Sequence, residues 1–102
     1  MAAIAYTVTA TLPDEGRRAE YITWLQDGHV DAVIAAGARS AMIVSVEEPR
    51  EPPRVHARYI FPTREALELY LEQHAPALRE EGLRRFGPET GVEFRREVGR
   101  VI

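Results

Sequence analysis

The chain contains no cysteine, no lysine and no asparagine. The first absence excludes disulfides, thiolate metal sites and cysteine nucleophiles together. Without lysine there is no Schiff-base chemistry, and Gln26 and Gln73 are the only carboxamide side chains. All 13 basic residues are arginine, and they interleave with 16 acidic residues to a net charge of -3. That pattern offers no basic footprint to a phosphate backbone, so nucleic acid is not an expected partner. No stretch approaches 18 continuous apolar residues, and the opening MAAIAYTVTA alternates like a strand without a basic n-region. The expectation is a cytoplasmic protein with no membrane association. Glycine-rich phosphate loops, GxSxG elbows and CxxC pairs are also missing.

What is present is ordinary globular material: 102 residues, 45% hydrophobic and 28% charged. This is enough for one domain, residues 1-102, around one core. Ile4 to Thr11 alternates Ile4, Tyr6, Val8 and Ala10 against Ala5, Thr7, Thr9 and Thr11, which reads as a strand. Pro13 and Asp14 stop it. Asp14 stands as the N-cap of a helix reaching about Ala36, closed by Gly37, with an apolar stripe of Tyr21, Trp24, Leu25, His29, Val33 and Ile34. Gly28, after Asp27, is expected to split that segment in two.

Ala38 to Val46 and Val55 to Phe61 read as strands joined by the charged, proline-rich EEPREPPR. Thr63 sits at an N-cap position, and the helix it opens carries Leu67, Tyr70, Leu71 and His74 on one face. Pro76 then interrupts, since proline inside a helix costs about 3 kcal/mol or more. A new helical piece, Ala75 to Phe86, ends at Gly87 and Pro88, and Val92 to Val98 alternates as a last strand.

The order βαββαβ specifies an α+β, ferredoxin-like fold: a four-stranded antiparallel sheet with helices on one face. In a lone subunit the other face would read polar at every second position, yet MIV and YIF are apolar at consecutive positions. Both faces therefore read as buried, and a sheet-to-sheet homodimer is expected. Scattered surface apolar residues are the alternative.

The segments AEYITWLQDGHVDAVIAAGA and LELYLEQHAPALREEGLRRFG resemble the small bacterial proteins of domain-of-unknown-function family 4286 (DUF4286). The more specific part is Tyr70 to His74 followed by Ala75, Pro76, Leu78, Arg79 and Phe86. The resemblance runs from the YTVTA strand to the arginine-containing final strand. It implies membership of the dimeric α/β-barrel superfamily, in which two ferredoxin-like subunits pack sheet against sheet. That superfamily includes cofactor-free monooxygenases, haem-degrading enzymes, lactone isomerases, polyketide cyclases and chlorite dismutase relatives, so the resemblance implies a fold and not a reaction.

His29 and His74 each lie on the apolar stripe of a helix, and both helices cover the same sheet face. They are expected to meet in a pocket as acid/base candidates, the alternative being core histidines bonded to carbonyls or carboxylates. His74 is the stronger candidate because Pro76 fits the first turn of the second helical piece. The junction is then left with backbone donors that His74 caps or an anion meets. Arg79 is placed to orient a substrate carboxylate, or else to pair with Glu72 or Glu80. Trp24 and Tyr70 wall the cavity or fill the core, while Tyr6 and Tyr59 read as packing.

Arg58 shares a strand face with His56 and Ile60; it lines the pocket if that face meets the helices, and meets a dimer partner if not. His29, His56 and His74 lack any compact ligand spacing, so no metal is expected. The haem-degrading chemistry of the superfamily that the resemblance implies leans on an asparagine, which is absent here, and no cofactor is expected. Three functions stay open: a cofactor-independent enzyme using histidine acid/base chemistry on a small carboxylate or carbonyl compound, a non-catalytic small-molecule binding or sensing dimer, and a structural or interaction protein.

Overall fold

The computed structural model of the chain describes residues 2–102. Strands β1 (Ile4–Thr11), β2 (Ser40–Ser45), β3 (Arg54–Phe61) and β4 (Glu93–Arg100) form one antiparallel sheet in the order β2-β3-β1-β4. Helices α1 (Glu15–Trp24) and α2 (Val30–Ala35) link β1 to β2, and α3 (Arg64–Gln73) and α4 (Ala75–Phe86) link β3 to β4. This is the ferredoxin-like α+β topology that the element order specifies.

Local chemistry sets the element ends. The Asp14 carboxylate accepts from the Arg17 N–H at 2.7 Å, and the Thr63 hydroxyl accepts from the Ala66 N–H at 3.0 Å. Each satisfies one orphan donor of a helix first turn. Between α1 and α2 the backbone opens into a wide turn, Leu25–His29, where Asp27 leaves helical geometry and Gly28 takes φ 107°. Only glycine adopts that angle at little cost, which is why the split falls there. The α3–α4 junction is tighter. His74 donates its N–H to the Tyr70 carbonyl at 2.9 Å and its carbonyl accepts from the Leu78 N–H at 3.3 Å, so the chain bends with its hydrogen bonds intact. Pro76 lies in the first turn of α4, where a missing donor costs nothing.

The core lies between sheet and helices. Ile4, Tyr6 and Ala10 of β1 and Val55, Ala57, Tyr59 and Phe61 of β3 are buried there against Tyr21, Leu25, Val33, Leu67, Tyr70 and Phe86 from the helical layer and the turn that splits it. Aromatic edges interlock within it, Tyr21 on Phe86 and Phe61 on Tyr70 both at 5.3 Å between centroids. Burying each such ring stabilises the fold by roughly 1.5–3 kcal/mol.

The opposite sheet face is apolar where MIV and YIF lead one to expect it and polar over the rest of its area. Tyr59 and Phe61 both turn toward the helices, as do Ala41 and Ile43 of β2, the register partners of Tyr59 and Ala57. The open side is apolar only toward β2, at Met42, Val44 and Ile60. Elsewhere it carries Thr7, Thr9, Thr11, His56, Arg58, Glu93, Arg95 and Glu97. Consecutive apolar letters in MIV conceal an alternation whose outward members are only Met42 and Val44. Among the described residues no helix is long and apolar enough to cross a membrane.

Candidate functional site

A cleft of about 50 Å³ opens between the sheet and the helices. The strands contribute Tyr6 and Val8 from β1, Tyr59 from β3, and Phe94 and Arg96 from β4; the helical layer contributes Tyr21, Trp24, His29, Tyr70, Leu78, Arg79, Gly82 and Leu83.

The helix break described above gives this cleft one of its walls. Because the chain leaves the helix at Asp27 and Gly28, His29 comes back over Trp24, and the two rings stack at 4.1 Å with an interplanar angle of 24°. Trp24 in turn lies against the backbone of α4 at Gly82, where an added Cβ would stand 3.1 Å from Trp24 Cη2. The glycine is therefore a place for the indole, and the indole is a platform for the imidazole.

Burial holds the His29 pKa below its ordinary value of 6.5, with the Glu81 carboxylate partly opposing. The ring is thus predominantly uncharged at neutral pH. Among the described residues neither of its nitrogens has a hydrogen-bond partner. An uncharged imidazole with a vacant lone pair is a proton acceptor.

Four tyrosines line the same space. Tyr21 and Tyr59 are each 2% exposed and Tyr70 is 4% exposed, yet among the described residues none of their hydroxyls has a protein partner, and none is sealed from solvent. Their oxygens therefore open onto the cleft. Burial pushes the Tyr70 phenol up to about 12, aided by Tyr6 and opposed by Arg79 and Arg96. Burial raises Tyr59 and Tyr21 further. All three are neutral donors at physiological pH. The Tyr6 hydroxyl accepts from Arg79 Nη2 at 3.1 Å, which leaves its own proton to be donated.

Of the residues singled out from sequence, Trp24, His29, Tyr70 and Arg79 come together here. Glu80 pairs with Arg84 at 3.2 Å and leaves Arg79 to the cleft. Two others do not arrive. His74 is exposed at the α3–α4 junction, where φ of -120° takes its side chain off the helical stripe, and it makes no side-chain cap to α4. The expected meeting of two imidazoles does not occur. Arg58 lies on the open sheet face, its Nε donating to Thr7 Oγ1 at 3.4 Å, and beside it Thr9 Oγ1 and His56 Nδ1 are 2.8 Å apart. The three histidines are thus spread over the cleft, the junction and the opposite face, and among the described residues no side-chain cluster is placed to hold a metal ion.

Sequence reasoning missed Arg96, Tyr6, Tyr21 and Tyr59 as lining residues. A signal existed for Arg96: it shares strand parity with Val92, Phe94 and Val98, so it is a cation on the helix-facing side of a strand. The tyrosines gave none, because periodicity marks them as inward and says nothing of what their hydroxyls meet.

A family model, Domain of unknown function (DUF4286), matches residues 3–101. Among solved structures, a dimeric ferredoxin-like protein from an uncultured marine organism superposes with a TM-score of 0.82 at 14% identity, covering 100% of this chain and 97% of that one. A second dimeric ferredoxin-like protein of marine origin gives 0.70 at 14% identity, covering 98% and 94%. A conserved protein of unknown function from Bacteroides thetaiotaomicron, described as a possible oxidoreductase, gives 0.69 at 14% identity, covering 98% of each chain. At such identities the likeness concerns the fold. No curated protein matches the chain.

Proposed function

We propose that this chain, which belongs to the DUF4286 family, binds a small organic anion in the cleft and moves a proton on it through His29, without a cofactor. One observation carries the reading: three deeply buried phenols lacking protein partners share a small space with two guanidiniums and an uncharged imidazole. These hydroxyls reach solvent, so a ligand oxygen entering the cleft exchanges their bonds to water for bonds to itself. Arg79 and Arg96 favour negative oxygens, and the phenols donate to them.

The chemistry that fits is proton abstraction next to a carbonyl. A His29 nitrogen takes hydrogen from the carbon beside the carbonyl, and the C–H electron pair becomes a C=C bond while the carbonyl π pair moves to oxygen. The phenols hold the resulting enolate oxygen, their donors already oriented before charge develops, while the guanidiniums hold the ligand's own negative charge. Return of the proton to the same carbon or to a conjugated one completes a tautomerisation or isomerisation, and nothing else is consumed. Substrates of this class are small carboxylate or carbonyl compounds.

Proton exchange tests this whatever the final product is. The protein is incubated in heavy water with a panel of 2-oxo acids, 3-oxo acids and lactones, and NMR follows loss of the exchangeable C–H signal. Exchange above the buffer rate is expected for at least one class, falling by about 10²-fold or more in His29→Gln. Equal exchange by wild type and variant removes His29 from the role. A second reading, binding without catalysis, draws on the absence, among the described residues, of any other imidazole or any carboxylate from the cleft wall. It predicts ligand-induced thermal stabilisation with no exchange.

The open sheet face is the surface on which two subunits are proposed to meet. Met42 is 57% exposed there, beside half-buried Val44 and Ile60, and the mixed charges of Arg58, Arg95, Glu93 and Glu97 allow an antiparallel copy to pair. Similarity in fold to proteins described as dimeric supports it. Sedimentation equilibrium is expected to give twice the 11.5 kDa chain mass, reverting to one chain in Met42→Asp. A monomer at every concentration would dismiss the assembly.

A further inference from the structure

The cleft is small and its mouth is greasy. Its volume of about 50 Å³ is small beside the several hundred Å³ of a cleft that encloses a whole ligand. That admits the head of a ligand and excludes its body. Leu83, part of the wall, is 48% exposed, and Leu78 of the same wall is half-buried. An apolar shelf thus adjoins a cationic, phenol-lined slot that, among the described residues, no carboxylate lines.

We infer that the ligand is an amphiphilic carboxylic acid: its carboxylate and the one or two carbons beside it fill the slot at Arg79 and Arg96, and an apolar chain leaves across Leu83. This rests on the anion-binding reading above and adds the substrate's shape to it. A carboxylate with its adjoining carbon is a head of that small size.

The two parts of the ligand report independently. Binding of the straight-chain acids acetate, butyrate, hexanoate and octanoate, and of hexanamide, is measured through Trp24 fluorescence and by NMR. Burying one methylene is worth about 0.8 kcal/mol, or fourfold in affinity; on a half-exposed shelf about twofold per methylene is expected from butyrate to octanoate. Hexanamide should bind at least tenfold more weakly than hexanoate. Leu83→Gln should flatten the chain-length series, and Arg79→Met should erase the preference for acid over amide. If acids bind with equal affinity at every length, the apolar tail is wrong and the anion slot stands. If acid and amide bind alike in the wild type, the anion slot itself is wrong, and this inference falls with it.

Discussion

Replacing Gly82 by alanine tests the wall that holds His29. Helix propensity alone favours alanine by about 1 kcal/mol at an interior position, which at an ordinary site in a domain of this size would raise Tm by about 5 °C. Here the new Cβ would stand 3.1 Å from Trp24 Cη2 and 3.5 Å from Cζ2. The indole has little room to retreat, because it stacks on His29 at 4.1 Å and meets Phe86 at 5.8 Å. Overpacking of this kind costs about 1–3 kcal/mol. Set against the propensity gain, the variant should be between neutral and about 2 kcal/mol less stable, a fall in Tm of up to about 10 °C. Trp24 is the only tryptophan, so its emission reports on the displacement without ambiguity. Calorimetry should show no gain in Tm, with a shifted emission maximum. A Tm raised by about 5 °C with unchanged emission would show that the indole does not rest on α4, and the support for His29 would go with it.

His29 carries a pH dependence of defined sign. Its folded pKa lies below 6.5, so between those two values the unfolded chain binds more protons; stability is intact above 6.5 and declines as pH falls through the window. Urea unfolding of wild type and His29→Gln at stepped pH isolates this slope, which the variant should lack. The phenols act in the opposite sense: with Tyr70 pushed up to about 12 and Tyr21 and Tyr59 further up, stability is full below about 10 and lost as pH rises. Tyr59→Phe should make the alkaline limb of a melting curve shallower. Finally, Thr63→Ala and Asp14→Ala should each cost about 1 kcal/mol by chemical denaturation, while Thr63→Ser costs almost nothing.

Much of the framework is legible because its signals are local. Asp14 and Thr63 cap the helices they precede, Gly28 breaks the first crossover, and Ile4–Thr11 and Ala75–Phe86 have the bounds that alternation and the Gly87-Pro88 stop predict. Trp24 and Tyr70 are readable because helical periodicity aims them at the sheet, whereas His29 arrives through the break at Asp27 and Gly28 and Arg79 through its place one turn after Pro76. His74 fails for the same reason that the others succeed: periodicity extends the stripe one residue past Gln73, where the backbone is no longer helical. Arg58 depends on which parity of β3 faces inward, and the four apolar residues Val55, Ala57, Tyr59 and Phe61 outweigh His56, Arg58 and Ile60 in deciding it. The apolar part of the outer face is legible because adjacent apolar letters lie on opposite sides of a strand, but it extends only over Met42, Val44 and Ile60. The hydroxyls of Tyr6 and Tyr59 are beyond the reach of periodicity, since their surroundings depend on how the broken helices sit on the sheet.

Tyr6 lies near one end of the chain and Arg96 near the other, with Tyr59, Trp24, Tyr70 and Arg79 drawn from the segments between. No fragment can assemble this constellation, and a partly opened molecule has nothing with which to grip a guest. Occupancy is therefore tied to the cooperative unit as a whole: a bound molecule should slow amide exchange in all of the strands together, not only beside itself. Trimming either terminus as far as the outermost of these side chains should abolish recognition outright.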